Sequence, residues 1–415
     1  MSAHRSAAAA RPIEQRLLLT VTLCLMAAGA VMVYSASSAR TLLEGDGDGS
    51  GYLVKYIAYG SIGLVLMQAL SRCGLETIRR LTPLLVLVAF GLLIAVRVPG
   101  LGVEVNGARR WIGAGALQFQ PSEAMKLALV LYAARLIATD PGRIRTLRGM
   151  ASPLLLVAGL ACAMVATQPD LGTAIVIAMT VGALLIAGGV ALRNIALVVG
   201  VSVALVAIFA LLEPYRRARL SSFLDPWADA QGSGFQAVQG QIALGSGGLF
   251  GVGLGQSVQK VFYLPEAHTD FILAVIGEEL GLAGVLGLLL LYGLLGYAGL
   301  RIAKSAKGAY AKLLAAGLIS LILCQAILNT FAVLGLAPLT GVPLPFISSG
   351  SSSLMVMLAA IGLLMNVARG GTPHLRALTV TRGRPPGERG ADRDRGRRDG
   401  GARRAGARGR RRAAG

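Results

Sequence analysis

Asp270 ends the heptapeptide LPEAHTD, where a long polar loop enters an apolar stretch that runs to about Leu295. A carboxylate at the water-facing mouth of a membrane helix is costly to place, so it marks a functional-site candidate. Glu278 and Glu279 follow eight and nine residues later, about 12 Å deeper if the stretch is one helix. At that depth they must face protein, water or a cation. His268, two residues before Asp270, can tune the acid or cap the helix. Arg109 and Arg110, in NGARRWI, offer planar donor forks that suit a phosphate or diphosphate. Lipid headgroups and Glu104 are equally open as their partners. Glu123 and Lys126, three residues apart, share one helix face and read as a self-neutralising ion pair. In the turn Gln168-Pro169-Asp170, Asp170 suits a helix N-cap and is also placed to share a polar cavity with Asp270. Residues 329–354 carry Pro338, Pro343 and Pro345 and a serine run that includes Ser348 and Ser352. Such backbone is not regular helix, and at membrane depth it is tolerated only beside protein or a water-filled cavity.

The elements that must position these residues are membrane helices. With 415 residues, 54% hydrophobic content, 14% charged and a mean hydropathy of +0.66, the chain is not a water-soluble globule. The expected fold is an all-α polytopic membrane protein. Apolar runs long enough to cross a bilayer of roughly 30 Å fall at about 17–36, 52–70, 81–98, 121–139, 151–168, 171–190, 194–212, 270–297, 312–334 and 346–368. The first, preceded by Arg5, Arg11 and Arg16, exceeds the ~7 to 15 residue core of a signal peptide and reads as an uncleaved span. With the N-terminus inside, the cytoplasmic segments take 30 of the 40 Lys and Arg and the outer segments nine. This obeys the positive-inside rule. Both termini are therefore expected in the cytoplasm and Asp270 at the outer face.

The expected division is a cytoplasmic segment 1–16, a membrane domain 17–369, a large extracytoplasmic loop 214–269 between helices seven and eight, and a basic tail 370–415. From Arg376 on the tail holds 14 Arg against four acids, among abundant Gly, Ala and Pro. That composition cannot bury a core and reads as disordered. Its charge suits the anionic inner leaflet, and membrane lipids rather than nucleic acid are its expected contact. Phe223, Trp227, Phe235, Phe250 and Phe262 in the large loop argue for packing at the membrane surface. Its glycine run, 245–255, has no Lys-Ser/Thr after it and lacks phosphate-loop spacing, so it reads as tight turns and close helix approach. Cys24, Cys73, Cys162 and Cys324 lie in or beside separate spans without a CxxC pair and imply neither disulfides nor a metal site.

Taken together, NGARRWI with QPSEAMKLALVLY, QPDLGTA, YLPEAHTDFILAVIGEELG and GLAPLTGVPLPFISSGSSS resemble the SEDS family (shape, elongation, division and sporulation; FtsW, RodA and SpoVE). The resemblance covers nearly all of 17–369, and YLPEAHTDFI is more similar to the division branch, FtsW, than to the elongation branch. It implies a ten-span peptidoglycan glycosyltransferase that polymerises lipid II at the outer face of the cytoplasmic membrane. A class B penicillin-binding protein as crosslinking partner, other divisome proteins and a septal location are implied with it. The family's essential acid falls on Asp270, and its polar surroundings on Arg109, Arg110, Glu123, Lys126, Gln168, Asp170, His268, Glu278, Ser348 and Ser352. Two departures stand out: the usual SYGGSS is SSGSSS here, with Ser349 for the aromatic, and Thr340 replaces a lysine of some division-branch members.

The implied chemistry is attack of a sugar 4-hydroxyl on the anomeric carbon of a polyprenyl-diphosphate-linked strand. Asp270 is expected as the base that takes the hydroxyl proton. Arg109, Arg110, Lys126 or a divalent cation, Mg2+ or Mn2+, are expected to stabilise the departing diphosphate, with no organic cofactor. Two further readings stay open at this level. A flippase or proton-coupled carrier also needs buried carboxylates and broken helices, although no repeat of the Asp270 or Asn329 segments occurs in the first half. A membrane scaffold would act only through its partner.

Overall fold

Each of the ten apolar runs falls on a helix in the computed structural model. It describes residues 13–370 except 45–48, 106, 115–116, 143–145, 213–216, 218–220 and 262. The expected basic tail thus lies outside the described residues. The helices are α1 (Ile13–Glu44), α2 (Gly51–Leu70), α3 (Leu75–Ala95), α4 (Pro121–Thr139), α5 (Leu147–Met150), α6 (Leu156–Ala166), α7 (Leu171–Ala187), α8 (Leu192–Leu212), α9 (Phe235–Ser246), α10 (Ile272–Ser305), α11 (Ala309–Val333) and α12 (Ser351–Ala368). α5 and α6 are joined by a π-helical turn, Ala151–Leu155. It contains Pro153, whose missing N–H leaves a gap in the regular ladder. Six helices, α1, α2, α3, α10, α11 and α12, are long and apolar enough to cross a membrane. Among the described residues α6, α7 and the part Leu192–Leu205 of α8 give shorter apolar stretches, and α4 carries Glu123, Lys126 and Arg135 within its length.

α11 and α12 form the centre. α12 packs against α2, and α11 against α4, α7 and α10, so most side chains of both central helices are buried. On α2, α3 and α8 large apolar side chains such as Val65, Leu87 and Val203 remain exposed, as expected where lipid is the solvent.

The helical fold carries one small β element. Residues 102–119 form a small antiparallel sheet of β1 (Gly102–Val105), β2 (Ala108–Ala114) and β3 (Leu117–Phe119), in the order β1-β2-β3. Val105 pairs with Ala108, and Gly107 has φ +74. Asn-Gly between alternating residues is the strongest short hairpin signal, and the sequence reading passed over it.

One correction concerns the stretch after Asp270. The helix begins only at Ile272, so Asp270 lies in the preceding turn, and regular geometry breaks again at Gly281 (φ 67, ψ −164). The 80° helical phase that a continuous helix would give between Asp270 and Glu278 therefore does not apply. A break at this depth exposes backbone groups that must find partners. The large loop supplies them: Val252 N donates to Glu278 O at 2.9 Å and Gly253 N to Glu279 O at 3.0 Å, while Gly248 O and Leu249 O accept from Leu282 N and Ala283 N at 2.9 and 3.0 Å. The glycine run thus serves close helix approach. A Cβ on Gly251 (φ +79) would lie 2.1 Å from Glu279 O.

The same loop is fixed by charge. Glu278, buried, accepts from Ser257 Oγ at 2.5 Å, Val258 N at 2.9 Å and Gln259 N at 3.4 Å. Glu279, 0% exposed, takes Lys260 Nζ at 2.6 Å, and Ser35 Oγ of α1 lies 2.7 Å from both its carboxylate oxygens. Farther out, Asp229 accepts from Ser233 N at 2.7 Å and Ser233 Oγ at 3.0 Å. Ser233's backbone N–H, above all, holds the Asp229 carboxyl below the usual carboxylate range.

Two outcomes follow for stability, both measurable by thermal unfolding of the detergent-solubilised protein. Lys260→Met leaves Glu279 buried without its cation and should cost about 3–5 kcal/mol, most of it recovered when Glu279→Gln is added. Gly251→Ala forces a Cβ into the Glu279 carbonyl and should lower the transition sharply. Gly245→Ala, with open space around the position inside α9, should leave it unchanged or raise it.

Candidate active site

Asp270 is partly exposed, in a turn whose backbone is held by its neighbours one carbonyl at a time. His268 O accepts from Ser349 N at 3.1 Å, Thr269 O from Ser348 Oγ at 2.6 Å and Asp270 O from Asn329 Nδ2 at 2.8 Å. Three consecutive acceptors are thus occupied, two by the segment before α12 and one by α11. The second Asn329 N–H goes to Val342 O at 2.8 Å. That draws the 341–342 backbone beside the acid: a Cβ placed on Gly341, whose φ is +68, would stand 3.3 Å from Asp270 Oδ2. Ser348 Oγ also accepts from Leu344 N at 2.8 Å. On the other side the His268 ring lies 4.1 Å from the Tyr52 ring of α2, tilted by 54°.

The segment 337–350 is irregular, as the prolines require, and its carbonyls are answered by buried side chains. Tyr292 OH of α10 donates to Pro345 O and Tyr56 OH of α2 to Phe346 O, each at 2.5 Å. Gln325 Nε2 donates to Pro343 O at 2.9 Å and Ser353 Oγ at 3.0 Å. Phe346 itself has φ 64, a strained value for a side chain of its size. Gln325 and Asn329 lie four residues apart on one face of α11. Paired buried amides in an apolar helix are the sequence signal that would have found them; the sequence reading missed both.

The other candidates have partners of their own. Asp170 Oδ1 accepts from Thr173 N at 3.2 Å, the expected N-cap of α7. Its Oδ2 accepts from Gln120 Nε2 at 2.9 Å and Ser122 Oγ at 3.0 Å, tying α7 to the start of α4. Ser352 Oγ accepts from Gln120 N at 2.9 Å, and Gln168 Nε2 donates to Leu93 O at 2.9 Å. Lys126 and Glu123 form the expected ion pair at 2.8 Å with side chains 0% and 2% exposed, and Lys126 Nζ also donates to Gln325 Oε1 at 2.5 Å. Glu278 is turned to residues 257–259, as described above. On β2, Arg109 Nε meets Glu104 Oε2 at 3.2 Å at the surface. Arg110 is partly exposed, and its buried Nε has no partner.

Among the described residues no three of His, Cys, Asp and Glu gather closely enough to hold a metal ion. The described side chains therefore do not by themselves make up a metal centre. A cavity of about 660 Å³ lies elsewhere, between α6, α7 and α8, lined by residues such as Leu155, Ala158, Val181, Val198 and Val201. Its lining is almost wholly apolar and suits hydrocarbon rather than a diphosphate or sugar.

Comparison with known proteins agrees with this arrangement. The FtsW/RodA/SpoVE family of cell cycle proteins matches residues 15–372. The chain is similar to stage V sporulation protein E of Bacillus subtilis strain 168, 40% identical over 353 residues, covering 85% of this chain and 96% of the relative. It is also similar to a probable peptidoglycan glycosyltransferase FtsW of Coxiella burnetii, 42% identical over 356 residues, covering 85% and 95%. Among solved structures, one of a peptidoglycan synthase complex that coordinates polymerization and crosslinking superposes with a TM-score of 0.69 at 31% identity, covering 85% of this chain and 96% of the other. The rod shape determining protein RodA of Thermus thermophilus gives 0.62 at 29% identity, covering 85% and 95%. The chain belongs to the FtsW/RodA/SpoVE family, and it is a multi-pass membrane protein with an FtsW-like sequence.

Proposed function

We propose that Asp270 is the general base of this chain acting as a peptidoglycan glycosyltransferase, which polymerises lipid II into glycan strands in septal cell-wall synthesis. The observation that carries the assignment is the clamp on His268, Thr269 and Asp270: three consecutive carbonyls bound by Ser349, Ser348 and Asn329. A base must be held within hydrogen-bond reach of the proton it takes. Here the backbone under the acid is fixed while its residue stays partly exposed.

The reaction assigns each group a step. The 4-hydroxyl of an incoming lipid II gives its proton to Asp270 as its oxygen attacks the anomeric carbon of the growing strand. The bond to the polyprenyl diphosphate breaks, with inversion at that carbon. A positioned base is worth typically ~10² to 10⁴-fold. Charge grows on the departing diphosphate, and Arg110 is the better placed of the arginine pair to meet it, because Arg109 is already engaged by Glu104. Lys126 serves instead as a structural cation, since Glu123 and Gln325 enclose it. A divalent cation would come with the diphosphate and neutralise part of its charge.

The membrane setting supports the same reading. In the proposed topology the ten apolar runs cross the bilayer with both termini in the cytoplasm, as the distribution of Lys and Arg supports, which puts the 214–269 loop and Asp270 on the outer face. The prenyl chains stay in the bilayer while the sugars react at its surface. The partner is a class B penicillin-binding protein that crosslinks the new strand within the divisome, a reading supported by similarity to the peptidoglycan synthase complex.

Labelled lipid II polymerisation checks the assignment. Asp270→Asn should lose at least ~10²-fold in rate while keeping the wild-type unfolding transition. Equal glycan ladders from both proteins would remove Asp270 from the reaction. Arg110→Ala should cost more than Arg109→Ala in the same assay.

A further inference from the structure

Gly341 is exposed, and it borders the carboxylate itself. A Cβ built on it would lie 3.3 Å from Asp270 Oδ2, and no other atom of the described residues, its chain neighbours aside, comes within 4 Å of that position. The stretch that carries Gly341 cannot draw back. Asn329 Nδ2 holds Val342 O at 2.8 Å, and the first turn of α7 packs against the residues on either side. A Cβ on Gly172 would fall 2.4 Å from Thr340 O and 2.5 Å from Val342 Cγ2. Residues 340 and 342 are thus backed by protein, while Gly341 between them turns its bare side towards Oδ2 and open space.

A hydroxyl that gives up its proton must come within about 2.6–3.2 Å of the accepting oxygen, with room behind it for the ring that carries it. On the Gly341 side of Oδ2 a Cβ would stand in that shell and keep the hydroxyl out. We infer that the acceptor sugar reaches Asp270 across Gly341, whose bare α-carbon is the floor of the acceptor site and sets how closely the 4-hydroxyl approaches Oδ2. This rests on the reading of Asp270 as the base of a glycosyltransferase, and it adds a residue that touches the acceptor. The proton passes from the hydroxyl to Oδ2 as the hydroxyl oxygen bonds to the anomeric carbon, and the diphosphate leaves with the electron pair of the broken bond. A carboxylate accepts from several donors at once, so the incoming hydroxyl adds to the contacts that Asp270 already makes. The left-handed φ of +68 at Gly341 is a separate demand, one that asparagine also meets.

Two substitutions separate obstruction from backbone strain, because they rank in opposite orders. Gly341→Ala and Gly341→Asn both place a Cβ beside Oδ2. Asparagine accepts a positive φ more readily than alanine, yet it fills more of the space. Polymerisation of labelled lipid II by the full chain should fall in kcat/KM about tenfold for Gly341→Ala and at least about a hundredfold for Gly341→Asn, the scale of a reacting group displaced by about 1 Å. Thermal unfolding should rank them the other way, with Gly341→Asn the more stable of the two. Activity in Gly341→Asn equal to or above that in Gly341→Ala would make strain the cause and overturn the acceptor path, as would wild-type activity in both. Asp270→Asn, run alongside, keeps this inference apart from the reading beneath it. Full activity there removes the base and the acceptor path with it, whereas lost activity there with undiminished activity in Gly341→Asn overturns the acceptor path alone.

Discussion

A backbone amide or carbonyl inside a bilayer has no water to turn to, so every departure from regular helix must be answered by a group of the protein itself. Two departures in this chain adjoin the segment that carries Asp270, and both are answered atom by atom. The break at Gly281 is closed by four backbone bonds from residues 248–253. The irregular stretch before α12 is closed by Tyr56, Tyr292, Gln325, Asn329 and Ser348. The segment that carries Asp270 runs between these two repairs and is gripped by residues of both regions. Its near end is held through Lys260 on Glu279, and its far end through the three carbonyls of 268–270.

The charges obey the same economy. Lys126 sits with Glu123 and Lys260 with Glu279, each pair almost fully buried. Isolated, any of the four would be expensive at these depths. Paired, they become fixed points to which polar groups attach. Because Lys126 offers only donors, it turns the oxygen of Gln325 towards itself and the amide hydrogens towards Pro343 and Ser353. A buried charge thereby sets the orientation of a wall that adjoins Asp270.

Much of this was legible from the residues. Apolar runs marked the helices because a bilayer demands length and hydrophobicity together. The Glu123–Lys126 spacing gave the ion pair, the Asp170 turn gave its cap, and the prolines of 338–345 announced irregular backbone. What stayed hidden depends on groups far apart in sequence. Nothing local to Glu278 says that it will collect Ser257 and two amides, or that Ser35 of the first helix will sit against Glu279. The break at Gly281 was equally silent, since a glycine within an apolar run is compatible with an unbroken helix. Asn106-Gly107 was the exception, a local signal left unused.

The three bonds on residues 268–270 come from Asn329, Ser348 and Ser349, all of which leave the ribosome after Asp270. Eight of the ten apolar runs and the 214–269 loop can therefore be synthesised before the acid has its support. Until the final two helices arrive, the carboxylate rests on a backbone with three open carbonyls. The order of synthesis thus leaves an unfinished chain with Asp270 in place but without the frame that holds its backbone.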